Sequence, residues 1–458
     1  MEQTLTWDAF TRSPDRRRRE AWLLALALLL TVFGDAYAGL SLHGRLPADL
    51  PWFAAAVAVL AYGPHVAVRR LAPRADPVIL PCAVLLTGLG LVLLRRLDVA
   101  YAAAYHSPAV APEQLLWSGV GAVAAVVLLV VLRDYRRLQR YLYVTMAIAL
   151  VLLAAPAFSP ADTLGARRWI HLGPLGTVQP GEFVKIMIAV FFAGYLTQHR
   201  NALALEGRRV LGMRLPPGRQ LGPIVAVWVV SLLVLIVERD LGTSLIFFGL
   251  FVIMLYVATE RTSWVVCGLF LASVGATAVG SLEPHVKGRV VAWLHPMEIF
   301  LPAERRPAAL NSDQLAHALF SFGSGGLTGT GLGQGHPELI EFAGRSDFIL
   351  TTVGEELGLA GTTVVLMLYV LLAERGLRTA LITRDPFGKL LATGVAGALV
   401  LQVFVVTGGV TGLIPLTGKA LPFLAKGGSS LVANWLMVAL LIRVSDTAQR
   451  RRLPLGVD

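Results

Sequence analysis

Three carboxylates lie within ten residues of one another in FAGRSDFILTTVGEELGLAG, residues 342–361, which otherwise reads as a hydrophobic helix. The first, Asp347, follows Ser346 at the predicted helix start, where Ser and Asp often accept hydrogen bonds from backbone N–H groups. A carboxylate held at a helix start is also preorganised to act as a base. We therefore treat Asp347 both as a helix cap and as a candidate catalytic base.

Glu355 and Glu356 follow on the same predicted helix, roughly 12 to 14 Å from its start. Carboxylates at that depth of an apolar span are costly unless they are paired or face a wet cavity. Two interpretations stay open. The glutamates are either functional groups of a site, or structural groups in a buried ion pair or an interhelical hydrogen bond.

A second group of charges comes from VQPGEFVKIMIAV and ERDLGTS. Glu182 and Lys185 are three residues apart and therefore share one helix face, with Pro180 suited to the first helical turn. Asp240 stands at another predicted helix junction. An unpaired cation in an apolar run is unstable, so we predict that Glu182 and Asp240 neutralise Lys185. The pattern favours a structural role, and a functional role is the alternative.

Several cations lie outside the predicted spans. Arginine and lysine bind phosphate oxygens, which suits these residues to hold a lipid-linked pyrophosphate. Contact with anionic lipid headgroups is the alternative for each of them. Trp169 and Trp293 are predicted anchors at the membrane interface. The basic residues in question are Arg167, Arg168, Lys287, Arg289, Arg345, Lys419 and Lys426.

The composition of the chain is that of an integral membrane protein. Of the 458 residues 55% are hydrophobic and only 15% are charged, where soluble proteins carry roughly a quarter charged residues. The net charge of +11 does not indicate nucleic-acid binding, because the basic residues cluster in short loops between apolar runs. Cys82 and Cys267 fall inside predicted spans, which excludes a disulfide framework.

Apolar runs long enough to cross a bilayer recur along the whole chain, and we predict an all-α polytopic fold with about twelve spans. Most of the 40 Lys and Arg residues fall in the two tails and the even-numbered connections, which places both termini in the cytoplasm. The predicted spans are 21–42, 51–71, 78–96, 113–133, 138–156, 179–197, 222–237, 242–259, 263–281, 349–373, 389–411 and 429–445.

This orientation places the candidate residues on the outer side of the membrane. The connection 282–348 is far longer than the geometry of a bundle requires, and such loops are often functional. Within it, FGSGGLTGTGLGQG at 322–335 alternates glycines with Leu and Phe. We expect this segment to shape a lipid groove and the loop to act as a partial lid with glycines as points of flexure. A simple flexible hinge is the alternative.

Seven segments in one order resemble motifs of the SEDS family (shape, elongation, division and sporulation). Each segment alone is a weak signal, whereas the ordered set between residues 165 and 430 is specific. The segments are GARRWIHLG, QPGEFVK, ERDLGTS, VKGRVVAWLHP, FGSGGLTGTGLGQG, SDFILTTVGEELGLAG and GLIPLTGKALPFLAKGGSS.

The resemblance implies a peptidoglycan glycosyltransferase that polymerises lipid II, an undecaprenyl-pyrophosphate-linked disaccharide peptide, at the outer face of the bacterial cytoplasmic membrane. It implies a class B penicillin-binding protein transpeptidase as partner, with membrane lipids around the chain and no nucleic acid. The family's essential aspartate corresponds to Asp347, our candidate catalytic residue. We assign substrate binding to Arg168, Trp169, Arg289, Lys419, Lys426 and Ser429, and a supporting intramembrane charge cluster to Glu182, Lys185, Asp240, Glu355 and Glu356.

The chain departs from the family pattern in places. Gly181 replaces a serine, Arg239 replaces a proline, Phe342-Ala343 replaces a Pro-Glu pair, and Ala425-Lys426 replaces a Ser-Tyr pair. Family members mostly have about ten spans, so we assign the first two helices to an extension. The predicted layout is a basic cytoplasmic tail (1–20), two additional helices (21–77), a SEDS-like core (78–445) with the outer loop 282–348, and a basic cytoplasmic tail (446–458).

The reaction implied by the resemblance inverts an α-linked sugar pyrophosphate into a β-1,4 linkage. Asp347 would serve as the general base for the attacking hydroxyl. Arg168, Arg289, Lys419 and Lys426, or a divalent cation that the sequence does not identify, would stabilise the leaving pyrophosphate. Two alternatives stay open: a flippase or transporter of the lipid-linked precursor, and an inactive scaffold for the transpeptidase.

Overall fold

The apolar runs of the sequence form helices in the computed structural model, which describes residues 13–158, 169–171, 177–204, 209–210, 213–214, 226, 229–230, 233, 240–307, 310 and 312–450. Within these residues, nine helices are long and apolar enough to cross a membrane, and two further apolar helices are shorter. The predicted all-α polytopic fold is thus confirmed. The predicted span 222–237 lies almost entirely outside the described residues.

We number the described elements in chain order. Two short antiparallel strand pairs accompany the helices: β1 (Ile170–His171) with β2 (Thr177–Val178), and β3 (Arg209–Val210) with β4 (Met213–Arg214). The helices are α1 (Ser13–His43), α2 (Leu50–Leu71), α3 (Ile79–Tyr105), α4 (Ala111–Val131), α5 (Arg137–Arg140), α6 (Leu142–Ala154), α7 (Pro180–Ala204), α8 (Leu241–Thr259), α9 (Thr262–Leu282), α10 (Pro284–Leu294), α11 (Gln314–Gly325), α12 (Ile349–Ile382), α13 (Pro386–Val410) and α14 (Gly428–Arg450).

Helix boundaries follow local sequence signals. At the start of α13, the Asp385 side chain accepts a hydrogen bond from the Gly388 amide at 3.0 Å, and Pro386 occupies the first turn. At the start of α8, Asp240 accepts from the Thr243 amide at 2.9 Å. Both caps satisfy backbone donors that a helix end leaves without a partner.

Helices α14 and α3 form the centre of the bundle. The most apolar stretch of α14 is 89% buried and that of α3 is 83% buried, whereas those of α1 and α4 are only 33% buried. Helix α14 packs against α4, α12 packs against α13, and α1 packs against α3. The two N-terminal helices therefore cover one side of a central core.

Connections that are remote in sequence meet at one end of the bundle, which we call the loop end. The Gln114 side chain donates to the Ala425 carbonyl at 2.9 Å, and the Gln179 amide donates to Ser429 Oγ at 3.0 Å. The Lys426 amide donates to the Arg345 carbonyl at 2.8 Å. These hydrogen bonds bring the start of α4 together with the segments that precede α7, α12 and α14.

The opposite end, which we call the terminal end, is closed by a polar network around α14. The Arg74 amide donates to Asp446 Oδ1 at 2.9 Å, and the Asp76 amide donates to Ser445 Oγ at 3.0 Å. Arg443 donates to the Leu71 carbonyl at 2.9 Å. The connection from the N-terminal helices to α3 is thereby attached to the central helix.

The close packing of α3 generates a first prediction. A Cβ added at Gly90 would lie 2.7 Å from backbone atoms of Leu424, which cannot move without displacing the 412–427 connection. We expect Gly90→Ala to lower the free energy of unfolding by about 1 to 3 kcal/mol through overpacking. The measurement is the thermal unfolding midpoint of the purified protein in detergent.

Gly119 of α4 provides the matched control, since a Cβ added there would meet no atom within 4 Å. Gly119→Ala should leave the midpoint unchanged or raise it, because alanine favours the helix over glycine by about 1 kcal/mol. Equal midpoints for wild type and Gly90→Ala would contradict the close approach of α3 to Leu424.

Candidate active site

Asp347 lies at the loop end, in the turn that joins the 3-10 segment Pro337–Arg345 to α12. Ser346 Oγ donates to Asp347 Oδ1 at 2.7 Å, and the Asp347 side chain is half-buried. The cap position of α12 is occupied by Phe348, and no side-chain hydrogen bond caps this helix among the described residues. The helix-cap interpretation of Asp347 is therefore wrong.

The turn that carries Asp347 is held by the neighbouring Arg345. This guanidinium is only 4% exposed and lies 3.1 Å from Asp98 Oδ1 and 2.9 Å from Ser107 Oγ. It also stacks over the Tyr101 ring at 4.5 Å from the ring centre. Sequence reasoning placed Arg345 among the phosphate-binding cations, whereas the structure uses its charge to attach the Asp347 turn to the end of α3.

Asp98, which the sequence analysis missed, has two functions in this arrangement. Its carboxylate oxygens accept hydrogen bonds from the Val110 amide at 2.9 Å and from the Ala111 amide at 2.8 Å, at the start of α4. The same carboxylate pairs with Arg345. Asp98 thus joins α3, α4 and the Asp347 turn. The available signal was the charged sequence RRLD at positions 95 to 98, at the end of an apolar span.

Glu356 forms a buried ion pair with Arg96 of α3. Its carboxylate also accepts hydrogen bonds from the Gly333 amide at 3.0 Å and the Gly335 amide at 3.2 Å. Arg96 in turn donates to the Gly335 carbonyl at 2.7 Å. Both members of the ion pair thus bind the glycine-rich loop, so the geometry favours the structural interpretation of Glu356.

Glu355 binds the same loop from the adjacent position of α12. Its side chain accepts from the His336 amide at 2.9 Å, and its backbone carbonyl accepts from the Thr330 amide at 2.9 Å. The Glu356 carbonyl accepts from the Gly331 amide at 3.0 Å. These carbonyls are available because α12 is kinked at Gly358, which has φ of 66°.

The glycines of this loop allow its backbone to approach α12 closely, and the flexure that we expected stays a prediction. A Cβ added at Gly329 would lie 2.2 Å from the Glu356 carbonyl oxygen, and one at Gly325 would lie 2.0 Å from the Gly354 carbonyl oxygen. The backbone φ of Gly329 is also positive, at 85°. In this structure the segment 326–335 is docked on α12 by hydrogen bonds.

Glu182 and Lys185 belong to a separate buried cluster. Lys185 Nζ lies 2.6 Å from Glu182 Oε2 and 2.6 Å from Gln402 Oε1 of α13, and it is 2% exposed. Asn434 Oδ1 of α14 lies 3.4 Å from the same ammonium. The predicted neutralisation of Lys185 by Glu182 agrees with this geometry. Gln402 and Asn434 carried no signal in the sequence, because amides in apolar runs are rarely distinguishable from packing residues.

Asp240 does not form an ion pair with Lys185, contrary to our prediction. It lies 3.1 Å from Lys419 Nζ, and Lys419 also approaches Glu182 Oε1 at 3.5 Å. Lys419 is 3% exposed. The ammonium that we assigned to substrate binding is thus held between two carboxylates, and its substrate contact stays a prediction. The five charges of the predicted intramembrane cluster accordingly divide between two sites, with Glu355 and Glu356 bound to the glycine loop.

The other predicted substrate residues are distributed around the 412–427 connection. Arg289 of α10 donates to the Leu416 carbonyl at 3.1 Å. Lys426 is exposed, and its ammonium is 3.9 Å from Glu113. Because its amide also binds the Arg345 carbonyl, Lys426 lies beside the Asp347 turn.

The remaining predicted residues have fewer described contacts. Ser429 is buried, and its hydroxyl accepts from the Gln179 amide, which ties α14 to α7. Trp169 is half-buried next to β1. Arg168 lies outside the described residues. Within the described part of the chain, no group of three His, Cys, Asp or Glu side chains is arranged to hold a metal ion.

The Arg96–Glu356 pair generates a second prediction. Glu356→Gln should lower the free energy of unfolding by about 3 to 5 kcal/mol, because it leaves a buried guanidinium without its counter-charge. The measurement is the thermal unfolding midpoint, with proteolytic cleavage in the 326–335 loop as a local readout.

Glu374→Gln is the matched control, because this carboxylate of α12 is half exposed and, among the residues that the structure describes, pairs with its neighbour Arg375 alone. Surface pairs of this kind contribute about 0 to 1 kcal/mol, so its midpoint should stay close to wild type. If Glu356→Gln and Glu374→Gln unfold at the same temperature, the ion pair is not what anchors the glycine loop.

Comparison with known proteins supplies the identity of the fold. The sequence profile of the FtsW, RodA and SpoVE cell cycle protein family matches residues 77–450. The peptidoglycan glycosyltransferase RodA of Mycobacterium leprae is 42% identical over 441 residues, which cover 95% of this chain and 92% of that protein. The corresponding RodA of Mycobacterium tuberculosis is 43% identical over the same length and coverage.

A solved structure supports the same conclusion. One chain of a peptidoglycan synthase complex, described for its coordination of polymerisation and crosslinking, superposes with a TM-score of 0.62 and 26% identity. The superposition covers 82% of this chain and 98% of that chain. The predicted resemblance to the SEDS family is confirmed, and this chain belongs to the FtsW, RodA and SpoVE family.

Proposed function

We propose that this protein is a peptidoglycan glycosyltransferase that polymerises lipid II into β-1,4 glycan strands at the outer face of the cytoplasmic membrane. The observation that carries the proposal is the 42 to 43% identity, across 95% of the chain, to proteins named for that activity. The position of Asp347 supports it, because its turn is attached to α3 and to the 412–427 connection and its carboxylate is not used as a helix cap.

The reaction requires one proton acceptor and one stabiliser of negative charge. A sugar hydroxyl attacks the anomeric carbon of a second lipid-linked sugar, the new C–O bond forms, and the bond to pyrophosphate breaks with inversion. In this scheme Asp347 accepts the hydroxyl proton as general base. The bonding electrons leave with the pyrophosphate, whose charge must be met by cations placed nearby.

Lys426 is the best placed of the candidate cations for the pyrophosphate. Its side chain is exposed and its backbone is bonded to Arg345, two residues from Asp347. Arg289 is the second candidate, since it binds the same 412–427 connection. Lys419 would have to leave its two carboxylates before it could bind a phosphate.

The membrane orientation is part of the proposal. The distribution of Lys and Arg puts both termini in the cytoplasm and the loop end outside. We infer that a class B penicillin-binding protein supplies the transpeptidase activity, an inference supported by the similarity to a chain of a peptidoglycan synthase complex. Residues 21–77, which largely precede the part matched by the family profile, form the additional helix pair in this proposal.

The catalytic assignment generates a third prediction. Asp347→Asn should reduce polymerisation of purified lipid II by a factor of at least about 10² to 10⁴, because the amide cannot accept the hydroxyl proton. Its thermal unfolding midpoint should match wild type. The measurement is glycan chain formation in liposomes without a transmembrane gradient, resolved by gel electrophoresis.

Ser346→Ala is the control, because it removes the hydroxyl that donates to Asp347 and keeps the carboxylate. It should retain most of the activity. If wild type forms no chains and instead moves labelled lipid II between leaflets, the protein is a flippase. If Asp347→Asn polymerises as well as wild type, the general base lies elsewhere. A parallel assay with a chelator shows whether a divalent cation takes part.

Arg345 generates a fourth prediction, as a positioning residue. Arg345→Lys keeps the charge but loses the paired contacts to Asp98 and Ser107 and the stacking on Tyr101. We expect kcat to fall about 10-fold with KM nearly unchanged, because misplacement of the base affects the chemical step.

Arg305→Lys is the matched control, since Arg305 is exposed in the same outer connection. It should change neither constant. A purely structural role of Arg345 would lower the unfolding midpoint and the amount of active enzyme without lowering kcat per folded molecule, and that result would contradict the positioning role.

A further inference from the structure

A cavity of about 470 Å³ opens at the loop end, between the N-terminal helix pair and the core. Its walls come from the end of α1, the connection 45–49, the end of α3 and the start of α4. The family profile begins at residue 77, so two of these four walls lie outside it. We call this space the N-terminal cavity.

The Arg95 guanidinium in the wall of the cavity binds two carboxylates. Arg95 Nε donates to Asp35 Oδ1 at 2.7 Å, and its two terminal nitrogens bind both oxygens of Asp49 at 2.8 and 2.9 Å. The same guanidinium lies over the Phe53 ring at 4.8 Å. Hydrogen bonds from Arg95 lower the pKa of Asp49, which keeps that carboxylate ionised. One positive charge therefore faces two negative charges.

The second oxygen of Asp35 is unmatched. Asp35 lines the cavity and is 3% exposed, and its Oδ2 has no hydrogen-bond partner among the described residues. A buried carboxylate oxygen without a donor carries a large desolvation cost. The cavity thus borders a buried carboxylate oxygen that no described donor satisfies.

The other charges around the cavity do not compensate Asp35. Arg96 is bound to Glu356, and Asp98 is bound to Arg345. Arg45, at the exposed mouth, pairs with no carboxylate in the described part of the chain. The mouth thus carries Arg45 together with the exposed Asp49, which Arg95 binds, whereas Asp35 lies at the floor, and most of the remaining wall is apolar, as at Leu42, Pro47 and Val99.

We propose that the N-terminal cavity binds a primary ammonium group on a short flexible chain, followed by an anionic group. The ammonium donates to Asp35 Oδ2 at the floor, the hydrocarbon chain packs on the apolar wall, and the anionic group pairs with Arg45 at the mouth. The cavity volume is in the range of small-molecule sites. An ammonium supplies both the missing donor and the missing positive charge, which a neutral amide would not.

Two sources carry this chemistry at the outer face of a bacterial membrane. One is the phosphoethanolamine headgroup of a membrane lipid, and the other is an amine-bearing residue in the peptide of the lipid-linked substrate. The site itself does not depend on the proposed function, whereas the second source rests on it. Binding is therefore measured without turnover, in the Asp347→Asn background.

The experiment uses the full chain in nanodiscs of phosphatidylglycerol. Dissociation constants are measured for lysine-containing lipid II and for the same compound with its amine acetylated. Retention of phosphatidylethanolamine is measured by native mass spectrometry after addition of that lipid to the nanodiscs. Asp35→Asn removes the negative charge at the floor of the N-terminal cavity. Ala48→Phe fills the mouth of the cavity and tests the site independently, should Asp35→Asn fail to fold. Glu374→Gln, at the terminal end of α12, removes a carboxylate far from the cavity.

We expect wild type and Glu374→Gln to bind one of the two free amines. Asp35→Asn and Ala48→Phe should weaken that binding by at least about 10-fold, the effect of losing one charged hydrogen bond. Acetylation of the lysine amine should weaken the binding of lipid II to wild type by a similar factor. Selective retention of phosphatidylethanolamine identifies the lipid as the source, and amine-dependent binding of lipid II identifies the substrate.

Equal binding of free and acetylated lipid II, together with equal lipid retention by wild type and Asp35→Asn, overturns the proposal. In that case water alone satisfies Asp35, and its pair with Arg95 is structural. Binding and polymerisation are read out separately. If the protein binds the amine but does not polymerise lipid II, the proposed function fails and the proposal for this cavity stands.

Discussion

A charge inside an apolar bundle is stable only when an opposite charge or several hydrogen bonds meet it, and this constraint determines which segments of the protein come together. Arg96 and Glu356 are 260 residues apart in sequence and in direct contact in the fold. Lys185 brings together α7, α13 and α14 for the same reason. Each of these pairs costs desolvation energy, so its presence is weak evidence of added stability, and we infer that it specifies one arrangement of helices.

The helices themselves were predictable because hydropathy depends on local composition. The charged groups were recognisable as well, since a Glu or Lys in an apolar run stands out from its neighbours. Their partners were not predictable, because the pairing depends on which helices are adjacent. Asp240 and Lys185 both appeared to need a counter-charge, and the structure gives Asp240 to Lys419 instead. Backbone amides also gave no signal as partners in the sequence, although Glu355 and Glu356 accept hydrogen bonds from five of them, three through side chains and two through carbonyls.

Within the candidate active site, the role of Asp347 stays a prediction, whereas some of its neighbours make contacts other than those that the sequence indicated. Asp347 was found through its motif. Arg345 was assigned to phosphate because any outer cation suits that role, and only the positions of Asp98 and Tyr101 reveal that its charge is already used. Conversely, the exposure of Lys426 could not be read from the sequence, because its side chain follows a run of buried residues, Leu421 to Ala425.

The break at Gly358 divides α12 into a short upper piece and a long lower piece. The upper piece, residues 349–357, carries both glutamates that bind the glycine loop and follows directly from Asp347. By its contacts it therefore belongs with the docked glycine loop rather than with the long lower piece. The positive φ of Gly358 thus separates two parts of one helix, the part bonded to the glycine loop and the long part that follows it, in a helix that packs against α13. Any displacement of the glycine loop would have to move residues 349–357, which begin two residues after Asp347, or break the hydrogen bonds to Glu355 and Glu356.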